Sequence, residues 1–340
     1  MKFLFTVLFV LTVALAAAAQ TTPRGSGTPR TAWGDPDLQG TWDYWTFTPL
    51  ERPGDLAGKE ALTADEADQL ARRLRDQAVA GDKTGPRKGD PGAYSQEAWT
   101  DRSRPRALTQ TSIIVDPPDG KLPPMTPEAK ARDAAHLAAG GHPVRIRTGG
   151  IGTDGPEDRG VAERCLLGFS TGPPMLPGGY NNNIQLFQAP GYVAILLEMN
   201  HDVRIVPLDR RPHVPGEVRQ WMGDSRGQWE GNTLVVETTN FTNKTASFSG
   251  RVGAGGFELG SAENLRLVER FSRVDAETLL YEFTVNDPST FTRPFTGRIP
   301  MTLTRQRIYE YACHEGNYGL PNSLSGARAA EREARPTQGR

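Results

Sequence analysis

The sequence predicts a mainly β protein: an antiparallel barrel, or a sandwich, preceded by a helix- and loop-rich N-terminal half. Three observations predict it. From Ile184 to Glu315 the chain carries about eight short runs rich in Val, Ile, Leu, Phe and Tyr, each bounded by turn residues. The clearest of these runs alternate in polarity with a period of two. Gly and Pro number 37 and 27 of 340 residues, a composition of many turns and few long helices.

The N-terminus comes first. "MKFLFTVLFVLTVALAAAAQ" has Lys2, then an apolar run, then Ala17 and Ala19 at −3 and −1 of a cut before Gln20. This is the pattern of a signal peptide over 1–19. The run is short for a membrane span, and no Cys near the cut offers a lipid anchor. The sequence therefore predicts a periplasmic or secreted protein with no membrane span after cleavage. Residues 20–32, rich in Thr, Pro, Gly and Arg, read as a flexible leader.

Residues 33–180 form the helix- and loop-rich part with the first strand. Trp33, Trp42 and Trp45 cluster here. Gly40-Thr41-Trp42 opening an aromatic strand is similar to the start of lipocalin-like barrels, in which such a Trp plugs the closed end. "TADEADQLARRLRDQAV" predicts a helix: Thr63 and Glu66 form a capping box, and Ala67, Leu70, Ala71 and Leu74 share one face. Residues 81–106 read as a long loop. A short strand is predicted at Ser112–Val115, with a turn at "DPPDG". A second helix runs from Pro127 to about Ala139, capped by Thr126 and stopped by Gly140-Gly141.

Residues 181–318 read as an antiparallel meander. "NIQLFQAPGYVAILLEMNHDVRIVPL" gives three strands, the last two joined at Asn200-His201-Asp202. "GQWEGNTLVVETTNF" is a hairpin through Gly231-Asn232, and "NLRLVERFSRVDAETLLYEFTVND" is one through Asp275-Ala276-Glu277. "RIPMTLTRQRIYEYACHE" reads as a last pair. Residues 319–340 are a C-terminal helix and tail. In "TLLYEFTVN", Leu279, Tyr281, Phe283 and Val285 share one face, and Leu280, Glu282, Thr284 and Asn286 the other. Alternation leaves open which face points inward, and so leaves open an interior ligand cavity.

The segments "TSIIVDPPDGKLPPMTPEA", "YNNNIQLFQAPGYVAILLEMNHDVRIVPLD", "GDSRGQWEGNTLVVETTNF", "ERFSRVDAETLLYEFTVNDP" and "IYEYACHEGNYGL" resemble a family of exported proteins of environmental Gram-negative bacteria and acidobacteria. The resemblance covers well over half of the mature chain. It implies export and one shared architecture. It implies no activity and transfers no catalytic residue.

In an oxidising compartment, two cysteines most simply form one disulfide, Cys165 with Cys313. The rival reading is a free thiol at Cys313, beside His314 and Glu315. The 39 basic and 40 acidic residues nearly balance, and no basic tract interleaves with aromatics. Nucleic acid is therefore disfavoured as a partner.

The five histidines are His136, His142, His201, His213 and His314. None belongs to a metal motif, and no cofactor or metal is predicted. His136, His142 and His213 read as surface or loop residues. His201 sits with Glu198, Asn200, Asp202 and Arg204 at a hairpin tip. His201, His314 and Glu198 are the candidate catalytic residues. Adjacent strand residues point to opposite faces, so His314 and Glu315 share a site only if the strand has turned. Tyr180, Asn182, Asp224, Arg226 and Trp229 are the candidate ligand-binding residues. "GDSRG" matches the bare nucleophile-elbow pattern around Ser225, but a hairpin follows it instead of a helix, so an Asp–Arg pair in a structural loop is the favoured reading. The first functional expectation is an exported small-molecule-binding protein. One alternative is a periplasmic lyase, isomerase or hydrolase with a His general base on the same barrel. The other is an envelope structural protein without a small-molecule site.

Overall fold

The computed structural model describes residues 28–82, 101, 104–138, 164–168, 172, 174–242 and 262–334. The predicted signal peptide, most of the leader and His142 lie outside them. The elements, in chain order, are β1 (Gly40–Asp43), α1 (Ala64–Asp82), β2 (Ile114–Asp116), α2 (Pro127–Ala138), β3 (Asn183–Ala189), β4 (Tyr192–Leu197), β5 (Val203–Pro207), β6 (Asp224–Glu230), β7 (Thr233–Thr239), β8 (Arg266–Arg273), β9 (Thr278–Asn286), β10 (Phe295–Thr304) and α3 (Gly319–Ala334).

Local chemistry fixes several boundaries. The capping box at α1 is formed: Thr63 N donates to Glu66 Oε2 at 2.9 Å, and Glu66 N to Thr63 Oγ1 at 3.2 Å. Thr126 Oγ1 accepts from Ala129 N at 3.1 Å to cap α2. Gly231, at φ +61, and Asn232 make the two-residue turn between β6 and β7. A five-residue connection, Glu198 to Asp202, lies between β4 and β5 and holds a 3₁₀ turn, Met199–His201.

The strands form one ten-stranded antiparallel sheet in the order β5-β4-β3-β1-β10-β9-β8-β7-β6, with β2 added to β10. Two expectations are corrected here. The sheet is not hydrogen-bonded into a closed barrel: β5 and β6 are its ends, with no ladder between them. An even number of antiparallel steps separates them, so they run the same way, and closure would need a parallel pairing. "RIPMTLTRQRIYEYACHE" is not a pair of strands either. It gives one strand, β10, ending at Thr304, and Arg305–Cys313 carries no ladder.

The sheet is nevertheless curled until its ends approach. A Cβ on Gly227 of β6 would sit 2.7 Å from Val206 Cγ1 and 2.7 Å from Leu208 Cδ2. Any side chain there would wedge β5 off β6. The alternation is resolved with the apolar side inward. Ile184, Leu186, Val193, Ile195, Leu234, Val236, Leu267, Phe271, Leu279, Tyr281, Phe283, Ile299 and Met301 join one buried cluster with Trp42. Trp42 is fully buried, donates from Nε1 to Leu38 O at 2.9 Å, and carries the Arg273 guanidinium 5.3 Å from its ring centre.

One polar network lies inside this apolar lining. Arg204 of β5 donates to both oxygens of Glu269 of β8, at 3.1 and 2.5 Å. It also donates to Ser225 Oγ of β6 at 3.2 Å and Thr238 Oγ1 of β7 at 3.1 Å. Tyr281 of β9 donates to Glu269 Oε1 at 2.8 Å and accepts from Met175 N at 3.1 Å. The Arg204 and Glu269 side chains are 2% and 0% exposed. Burial works against the Arg204 charge, and Glu269 beside it outweighs that, so its pKa ends above the ordinary value. Burial and Glu269 likewise hold the Tyr281 phenol protonated. Arg204 thus reaches from one end of the sheet to three strands at the other.

Cys165 and Cys313 form the predicted disulfide, with Cα atoms 5.7 Å apart. It ties the loop before β3 to the segment after β10. Among the described residues, no helix is long and apolar enough to cross a membrane.

Two outcomes follow from these contacts. Arg204→Met should lower the unfolding free energy in urea by about 3–5 kcal/mol, because it strands Glu269 in an apolar interior. Adding Glu269→Leu should restore much of that loss; a double variant no more stable than the single one would show that the pair is not the unit. Thiol titration under denaturing conditions should find no free thiol before reduction and two after. Reduction should destabilise the chain by about 4–5 kcal/mol, on the loop-entropy model for its 148-residue separation.

Candidate functional site

The candidate site residues fall into two groups. The first is built on the connection from β5 to β6. Because those strands run in parallel, this connection must travel back along the sheet. It does so over the outer faces of β6 and β7 and carries His213 there. Asn240, just after β7, anchors it by donating to Val214 O and Pro215 O at 3.0 Å and to Val218 O at 3.2 Å.

His213 Nδ1 lies 2.8 Å from Asp224 Oδ2, which also accepts from Val214 N at 3.2 Å. Asp224 Oδ1 accepts from Arg226 Nη1 at 2.7 Å, and Arg226 Nε donates to Pro212 O at 3.1 Å. Asp224 is buried and the imidazole about three-quarters buried. The carboxylate accepts at Nδ1, so that nitrogen carries a hydrogen, and Nε2 lies 3.6 Å from Glu237 Oε1. Glu237 is the cross-strand partner of Arg226 and pairs with Arg266.

These residues line an open cleft of about 440 Å³. Its floor includes Val235 and Val268, and its walls carry Arg210, Arg211, Arg226, Arg266 and Arg270. Four of these arginines have carboxylate partners: Asp209, Asp224, Glu237 and Glu230, respectively with Arg211, Arg226, Arg266 and Arg270. Arg210 has none within 4.0 Å among the described residues. Among the described residues, the cleft therefore keeps one guanidinium, that of Arg210, without a carboxylate partner.

The second group sits where β3 begins and β4 ends. Glu198 is buried, and its Oε2 accepts from Asn183 N at 3.1 Å and Asn183 Nδ2 at 2.8 Å. Asn182 is fully buried; its amide accepts from Gly178 N at 2.6 Å and donates to Asp101 Oδ2 at 2.6 Å. Asp101 also pairs with Arg104, which clamps Asp43 at 2.5 Å. Burial pushes the Glu198 carboxyl above its ordinary range, against the Asn183 hydrogen bonds, and Asp101 adds to the rise.

The other candidates separate from these clusters. His201 is exposed, and His201 N donates to Glu198 O at 3.4 Å. His314 is exposed on the segment that carries the disulfide, and Glu315 is exposed beside it. Tyr180 stacks on Tyr311 with ring centres 6.3 Å apart. Trp229 packs against the buried cluster, and its buried Nε1 has no hydrogen-bond partner among the described residues. Ser225 faces inward, bonded to Arg204 and to Thr238 at 2.9 Å. That geometry turns Ser225 Oγ away from solvent, and Asp224–Arg226 is the predicted pair, set on strand β6 and not in a loop. His136 lies on α2.

Sequence reasoning put Asp224 and Arg226 in the site but missed His213, its central residue. Eleven residues separate His213 from Asp224, and no local pattern brings them together. The only available signal was the Pro-bounded connection itself, whose length is needed to return between parallel edges.

Glu198 carries a pH-dependent consequence. Its folded-state pKa is raised, so the stability it contributes is present below the ordinary value of 4.5 and is lost as pH rises through the folded value. Glu198→Gln should therefore gain thermal stability relative to wild type at neutral pH, and the gap should close on acidification below 4.5. A gap that stays constant with pH would rule out the buried charge as its source.

Neither a protein-family model, nor a curated protein, nor a solved structure matches the chain.

Proposed function

We propose that the chain is an exported protein of the environmental bacterial family its segments resemble, built as a lipocalin-like curled sheet, and that it binds a small anionic molecule in the cleft at His213. The observation that carries this is the aimed imidazole. Asp224 holds one nitrogen at 2.8 Å, and the ring lines a cleft whose guanidinium groups outnumber its carboxylates, with Glu237 3.6 Å from the other nitrogen. A ligand with an acidic group on a small apolar body would rest that body on Val235 and Val268. Its charge would meet Arg210 and the unused donors of the paired arginines. The inward face is filled by packed side chains and the Arg204 network, so the outer cleft is the better place for a ligand than the inside of the sheet.

The same dyad favours a second reading, an enzyme with His213 as general base. A carboxylate–imidazole pair beside positive charge suits proton abstraction next to a carboxylate, or activation of water against an ester. Here His213 stands where His201 and His314 were expected to act.

Thermal-shift screening against small organic acids and phosphorylated metabolites separates these readings. An acid that raises the unfolding temperature should bind by calorimetry, and His213→Ala should weaken it by about tenfold. Asp224→Asn should weaken it less while keeping the fold. Consumption of the hit by wild type but not by His213→Ala would select the enzyme. Equal affinity in wild type and His213→Ala would remove the cleft from the function.

A further inference from the structure

A second anion site is inferred from an arginine elsewhere in the molecule. Arg52 precedes a single 3₁₀ turn, Gly54–Leu56, and packs under the "DPPDG" turn after β2. Its backbone N donates to Gly120 O at 2.8 Å, and its Nε donates to Thr111 Oγ1 at 2.9 Å. The residue is only 6% exposed. Buried guanidinium groups are nearly always matched by carboxylates, since an unpaired buried charge is costly. Arg52 has no such match: among the described residues no carboxylate lies within 4.0 Å, and its two terminal nitrogens make no hydrogen bond to them. Four N–H donors are left without a protein acceptor.

These nitrogens keep solvent access, and Arg52 lines an open cleft of about 340 Å³ with Gly54, Gly58, Glu60, Asp119 and Lys121 among others. Lys121 adds a second positive charge, also without an ion pair among the described residues. Two glycines leave the space open: a Cβ on Gly54 or on Gly58 would meet nothing within 4 Å. A third closes the other side. Gly120 has φ +70, and a Cβ there would sit 2.4 Å from Ser112 Oγ and 3.2 Å from Arg52 Nε. The backbone at Gly120 thus lies close against the Arg52 side chain, where only glycine leaves room.

We infer that this cleft takes an oxyanion group of a small molecule, gripped through two oxygens by the terminal nitrogens of Arg52, with Lys121 beside it. The fork of a fixed guanidinium matches the paired oxygens of a carboxylate or a phosphate, and burial strengthens the contact. Glu60 and Asp119 at the rim exclude ligands with negative charge spread over their whole surface and favour one compact anionic head. The site shares no residue with the His213 cleft.

Calorimetric titration of the full chain with inorganic phosphate, sulfate and acetate, at constant ionic strength set with chloride, tests this. At least one probe should bind saturably with a dissociation constant of about 0.1–10 mM. Phosphate or sulfate binding marks a tetrahedral headgroup, and acetate binding a carboxylate. Arg52→Gln should weaken that probe by about tenfold or more. Gly54→Leu keeps Arg52 and fills the open space, so it should abolish binding while leaving the unfolding temperature in anion-free buffer unchanged. If Arg52→Gln does not fold, Gly54→Leu decides alone. Absence of saturable binding by all three probes overturns the site, and so does binding that either folded variant retains. His213→Ala should leave this binding intact, so failure here is separable from failure of the His213 cleft.

Discussion

The Arg204–Glu269 pair is the constraint on which the shape of the sheet depends. Without a ladder between β5 and β6, hydrogen bonding alone would leave the sheet open, with two exposed edges. Arg204 extends from β5 across the interior and binds side chains on β6, β7 and β8, while Tyr281 of β9 joins through Glu269. A buried ion pair gives little net stability against apolar residues of equal volume. Its value is geometric. A guanidinium whose two terminal nitrogens bond acceptors on three strands keeps those bonds at one curvature only, and a flatter sheet would leave Glu269 charged in an apolar interior.

The same curvature decides where ligands can meet the protein. Curling turns the alternating apolar positions inward and packs them into one cluster, and the outward positions keep the charged residues. On β6, β7 and β8 these are Asp224, Arg226, Glu230, Glu237, Arg266 and Arg270, which cross-strand registry sets as a lattice of opposite charges. Such a lattice is ordinary on a solvated sheet face. The connection laid over it is not. It brings an imidazole to a buried carboxylate and converts one patch of the lattice into a walled cleft.

Much of the fold was legible in the sequence because it is encoded locally. The capping box at Thr63 and Glu66, the Gly231-Asn232 turn and the alternation through Leu279–Val285 each declare their element within a few residues. The disulfide followed from there being two cysteines in a chain expected to be exported. The closure of the sheet was not legible, since it depends on whether the number of antiparallel steps between β5 and β6 is odd or even. One extra strand in "RIPMTLTRQRIYEYACHE" would have changed that parity. The site was legible only in part, for the same reason. Asp224 and Arg226 lie two residues apart and read as a pair. His213 and Arg52 take their meaning from partners, or missing partners, distant in sequence.

The place of β1 has a consequence for how the chain is made. The first strand in sequence lies mid-sheet, bonded on one side to β3 and on the other to β10, the last strand. Chain order and spatial order conflict at this point. Trp42 and its strand emerge first, yet one flank of β1 stays an unpaired edge until the final strand arrives. Any polypeptide stopped before Phe295 presents that edge, with its aromatic neighbours, to whatever strand it meets. The assembly of this sheet is all-or-none at its centre, and truncation from the C-terminus strikes the middle of the architecture instead of its margin.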